Sequence, residues 1–89
     1  MIDVDPIARR RLAELSRHFA VGHLSNDQLE DALPASAEAA LRDIWFCGLW
    51  PLYDDFYEHR LVDKHKLTPE GREHVARVVI FLRSSQPYR

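Results

Sequence analysis

The sequence predicts an all-α fold of four or five helices around one core, with a long proline-kinked aromatic helix at about 37–60 and a C-terminal helix at about 69–84. Three observations carry this expectation. Ala8, Leu12, Leu15 and Phe19 recur at spacings of four, three and four, the period of a single helical face. Asp5-Pro6, Ser25 with Gln28, and Thr68-Pro69 each supply the chemistry that starts a helix. Residues 38–60, laid out at about 100° per residue, gather their rings on one side and most of their carboxylates on the other.

The first helix opens with an Asp cap and a proline at its first position, where the missing N–H has no cost. Arg9, Arg10 and Arg17 fall off its apolar stripe, and Gly22 is the expected stop, because glycine enters the left-handed cap cheaply. The next segment, LSNDQLEDALP, holds a complete local code. Ser25 caps, Gln28 returns the capping-box bond, Leu24 and Leu29 take the staple positions, and Pro34 ends the helix after about two turns. Residues 1–34 thus read as a helical hairpin closed by VGHLS. A helix, then Gly-x-Leu-Ser, then an acidic helix resembles, over residues 8–33, the short helical hairpin of SHOCT-type domains, which implies an interaction module. The whole chain resembles small uncharacterised bacterial helical proteins.

Ser36 is the expected cap of a third helix beginning at Ala37. The last helix, 69–84, starts at the Thr68 cap with Pro69 at its first position and turns Val75, Val78, Val79 and Leu82 inward. Its β-branched VVIFL stretch leaves a strand as the competing expectation. Residues 84–89 read as a frayed tail.

Eighty-nine residues make one domain, 1–89, with a core large enough to fold alone but with little to spare. One cysteine, Cys47, excludes an internal disulfide and any CxxC motif. No basic-then-apolar leader and no membrane-length apolar run is present, so the cytoplasm is the expected location. The net charge of −2 conceals an uneven spread. Residues 1–23 sum to +1, residues 24–58 to −7 and residues 59–89 to +4. Either the basic ends fold over the acidic middle, or the middle is a surface for a basic partner.

Six of the nine aromatic residues lie in WFCGLWPLYDDFY: Trp45, Phe46, Trp50, Tyr53, Phe56 and Tyr57. With Leu41, Leu49 and Leu52 they span an arc of about 180°, where one core needs about 100°. Most of these rings are expected in the core. The surplus is an edge formed by Trp50, Tyr53 and Tyr57 beside Asp54 and Glu58, the candidate interaction surface.

Catalytic and cofactor chemistries find little support. Asp54 and Glu58 could form an acid–base pair only in a cleft, and an exposed acidic face is the commoner meaning of such a pair. Cys47 would have Asp43 and Asp54 as helical neighbours, which disfavour a thiolate. Glycines 22, 48 and 71 are too dispersed to cradle phosphate. Asp55 and His59, with His18, His23, His65 or His74 as further ligands, would be needed for a metal-binding helical protein, one alternative reading. A winged-helix-like nucleic-acid-binding regulator is the other, with RLVDKHKL as a short wing before LTPEG. Its reading helix, however, would carry Asp54, Asp55 and Glu58 towards phosphates. The sequence therefore predicts a non-catalytic protein–protein interaction or self-association module, without cofactor or metal. The expected partner is another protein or a second copy; nucleic acid and membrane are not expected.

Overall fold

Helix α1, Pro6–Ala20, forms the centre of the molecule and packs on two sides at once. The computed structural model describes residues 4–53 and 57–86, and these form four α-helices joined by shorter turns. The predicted stripe of Ala8, Leu12, Leu15 and Phe19 is buried, and so is a second row, Arg9, Ala13 and Ser16, one position further round. Helices α2 (Asn26–Ala32) and α3 (Ala39–Asp43) and the long α4 (Pro69–Leu82) all pack on α1, α4 most extensively.

The turn after α1 follows from Gly22. Its φ of 83° is the left-handed geometry that glycine alone adopts without strain, and a Cβ there would lie 2.4 Å from Val62. Gly22 N–H donates to the Phe19 carbonyl at 3.0 Å and His23 N–H to that of His18 at 2.8 Å, the paired bonds of a Schellman motif. The capping box opening α2 is complete. Ser25 Oγ accepts from Gln28 N–H at 3.1 Å, and Gln28 Oε1 accepts from Ser25 N–H at 2.9 Å.

Two expectations need correction. Ser36 does not cap a helix at Ala37. Its hydroxyl accepts from Glu38 N–H and donates to Asp5 Oδ2 at 2.8 Å, and α3 begins two residues later behind Glu38. The aromatic helix is not one kinked rod over 37–60. After Asp43 it widens into a π-helical turn, Ile44–Leu49, tightens into a 3-10 turn, Trp50–Leu52, and ends at Tyr53 in extended backbone (φ −144°, ψ 164°). Pro51 is the physical reason. It has no N–H for the carbonyl four residues back, and its ring collides with that carbonyl. The preceding turn opens instead, with Trp50 N–H reaching the Trp45 carbonyl.

At the other end VVIFL is helical, within α4, whose Thr68 cap accepts from Gly71 N–H at 3.0 Å. Val75, Val79 and Leu82 are buried and Val78 partly so. Leu61 and Leu67 anchor the connection before α4 in the same core. Among the described residues there is no strand, only an isolated bridge between Ser25 and Arg60, so RLVDKHKL does not form a two-stranded wing.

A fully buried arginine ties the chain ends together. Arg9 Nε lies 3.0 and 2.9 Å from the two Glu38 oxygens, and Nη2 also binds Glu38. Arg9 Nη1 donates to the Ser84 carbonyl at 3.0 Å, and the guanidinium sits 4.6 Å from the centre of the Phe81 ring. Glu38 Oε1 also accepts from Asp5 N–H. Arg9, off the apolar stripe by the sequence, is therefore buried with its charge, and Ser84, the first residue of the expected tail, is held. The Arg9 hydrogen bonds hold the Glu38 carboxyl below the usual carboxylate range against the opposing effect of burial. Asp5 is also lowered, by the Ala8 N–H and then by Ser36.

Both carboxylates are depressed, so their contribution to stability is complete above the unfolded-chain value of about 4 and is lost as pH falls through the folded values. Urea midpoints should fall on acidification from about pH 5. Glu38→Gln should lose on the order of 3 kcal/mol at neutral pH by stranding Arg9, and should fall less steeply in acid. Parallel pH profiles for the two proteins would contradict this account of the ion pair.

Candidate functional site

The π-helical turn decides which rings reach the surface. Leu49 and Gly48 are buried beneath it, and the Gly48 carbonyl accepts from His74 Nε2 on α4 at 3.0 Å. Phe46 and Trp50, on the outer side, remain 50% and 42% exposed. Their rings meet edge to face at 5.6 Å between centroids, and Trp50 lies parallel to Trp45 at 6.5 Å. Trp45 is partly buried against the core.

Tyr53 continues the row inward. Its ring is 6.3 Å from Trp45 and meets the buried Phe19 edge-on at 5.2 Å, while its hydroxyl donates to Glu30 Oε2 at 2.8 Å. From Tyr53 the row passes to His59 at 6.3 Å, and then to Tyr57 at 5.0 Å and His65 at 4.3 Å. Tyr57 is 49% exposed, and its hydroxyl is 2.8 Å from His65 Nε2. The result is a ridge of seven rings, open to solvent at both ends and seated on the core in the middle.

The second end of the ridge lies on irregular chain, so its position needs another cause. Asn26, fully buried, supplies it. Its N–H donates to the His59 carbonyl at 3.0 Å, its Oδ1 accepts from His59 N–H at 2.9 Å, and its Nδ2 donates to the Tyr57 carbonyl at 3.1 Å. Ser25 Oγ donates to Glu58 Oε2 at 2.5 Å. The first turn of α2 thus clamps residues 57–60 by main-chain and side-chain bonds together.

The candidate residues separate accordingly. Trp50 and Tyr57 offer open ring area, one near each end of the ridge. Tyr53 joins the two as a half-buried link rather than a free surface. Glu58 is exposed but committed to Ser25, and Asp54 lies outside the described residues. Asp55, needed with His59 for the metal reading, lies outside them too, as does Phe56. Nothing in the sequence pattern marks His59 and His65 as ring partners of Tyr53 and Tyr57. Cys47 is an exposed free thiol. Among the described residues no group of three His, Cys, Asp or Glu side chains is arranged to hold an ion, and no helix is long and apolar enough to cross a membrane.

No family model, curated protein or solved structure matches the chain.

The clamp gives a direct expectation. Asn26→Ala should cost about 1–3 kcal/mol, because two side-chain bonds are lost and the part-buried His59 N–H is left without its acceptor. Hydrogen exchange at the His59 amide should accelerate at least about tenfold, more than at amides in the middle of α1. Equal acceleration throughout the chain would mean that Asn26 supports the fold generally and not this segment.

Proposed function

We propose that the chain is a non-catalytic protein–protein interaction module that works through the aromatic ridge, with self-association as its simplest form. The observation that supports this most is the exposure of Phe46, Trp50 and Tyr57, three large rings left half in water by a domain that needs apolar burial. Aromatic side chains bury much area at little rotamer cost and dominate the centres of interfaces. The ridge is also tied to the fold at three points. One end stands on a helical turn, the other is clamped to α2, and Tyr53 fixes the middle, so little ordering entropy would be lost on association. The acidic segment that carries most of the ridge favours a partner surface of basic or mixed charge.

Sedimentation over a wide concentration range tests the proposal. Reversible dimers should form, burying at least about 1,000 Å² in total. Trp50→Ala and Phe46→Ser should raise the midpoint of association at least about tenfold, with little change in urea midpoint, because both rings are exposed in the monomer. A protein that stays monomeric up to about 1 mM would remove the self-association form. Association that these substitutions leave unchanged would remove the ridge.

A further inference from the structure

We propose that His18 and His23 form a two-nitrogen chelating site for a borderline divalent transition ion of the zinc, nickel or copper(II) class. The two rings face one another across the end of α1, with Nδ1 of one 3.4 Å from Nδ1 of the other. That separation matches the edge of a tetrahedral site: nitrogen–zinc bonds of about 2.0–2.1 Å place neighbouring ligand atoms about 3.3–3.4 Å apart. A hydrogen bond at this distance needs one ring to hold its proton on Nδ1 and the other on Nε2, and an ion would take the place of that Nδ1 proton. The donating ring then carries its proton on Nε2 instead, a change of tautomer in which neutral rings release no net proton.

The backbone holds the pair in register. His18 and His23 occupy the two positions that the Schellman motif brings together, with His23 N–H bound to the His18 carbonyl at 2.8 Å. These positions commonly carry an apolar contact, and here they carry imidazoles. Gly22, at φ 83° against Val62, sets the turn between them. The carbonyl end of α1 adds a field that favours a cation. Both side chains are exposed, so solvent can complete the coordination sphere.

The other three histidines are differently engaged. His59 Nδ1 lies 3.0 Å from the Tyr57 carbonyl, His65 Nε2 is 2.8 Å from the Tyr57 hydroxyl, and His74 Nε2 is bound to the Gly48 carbonyl. Of the five, only His18 and His23 point nitrogens at each other.

Titration calorimetry of the full chain with zinc or nickel chloride, beside imidazole 15N shifts, tests the site. One equivalent should bind per chain, with the His18 and His23 ring nitrogens shifting first. His18→Ala and His23→Ala should each weaken binding at least about tenfold, since one imidazole in place of two removes the chelate. The His59→Ala/His65→Ala double variant should bind as the parent does. Binding as tight in His18→Ala as in the parent would overturn the proposal. So would loss of binding in the double variant with retention in His18→Ala, which would move the site to the aromatic ridge.

Discussion

The buried ion pair of Arg9 and Glu38 is the constraint on which the other contacts depend. A guanidinium removed from water is tolerated only when its donors are met, and here Glu38, the Ser84 carbonyl and the face of Phe81 meet them from two separate parts of the chain. The contact fixes three junctions at once: the start of α1, the approach to α3 and the exit from α4. Glu38 precedes α3 without capping it, because its carboxylate is committed to Arg9 and to Asp5 N–H. Asp5 in turn caps α1 and holds Ser36. Among the described residues no buried side-chain nitrogen or oxygen lacks a partner, so the network is closed.

Pro51 is the second constraint, and it works by exclusion. A continuous aromatic helix would have carried its surplus arc as one flat face. With the chain turned out of the helix at Tyr53, the rings instead divide between a helical turn and an irregular segment, and the gap is bridged by Tyr53 and His59. The same residues that start α2 restore the rigidity lost by leaving the helix. Ser25 satisfies Gln28 N–H and binds Glu58, while Asn26 spends its amide on residues 57–60. The geometry of the ridge is therefore coupled to the stability of the N-terminal hairpin.

What the sequence revealed follows from how local each signal is. Caps and staples involve neighbours, so Asp5, Ser25, Gln28, Gly22 and Thr68 could be assigned roles directly, and the all-α fold with them. Arg9 could not. Its charge placed it outside a stripe drawn from apolar residues, and its partner lies 29 positions away. Ser16 hid the second buried face of α1 in the same way, since its hydroxyl is satisfied by the Leu12 carbonyl in its own helix. Leu61 and Leu67 stood among charges without a period to reveal them. For the ridge, the open rings of Trp50 and Tyr57 were visible as surplus apolar arc. His59 was not, because a helical projection through Pro51 gave residues 57–60 directions they do not have, and His65 lies beyond that projection in a short turn of its own.

The uneven charge has a structural meaning once these contacts are placed. Arg9–Glu38 joins the basic N-terminal segment to the acidic middle, whereas Arg77–Glu73 and Arg42–Asp43 each lie within one segment. The two basic segments pack mainly on one another, α1 against α4, through apolar side chains, and among the described residues one buried pair ties them to the acidic middle. Asp27 and Asp31 stay on the exposed side of α2, the helix whose Glu30 holds Tyr53 and whose first turn holds Glu58. Glu30 and Glu58 thus set two carboxylates against the ring ridge, on the same contacts that position it. In the proposed interaction such a border would add little affinity across water but would select among partners and steer their approach, while the exposed ring area would supply the attraction.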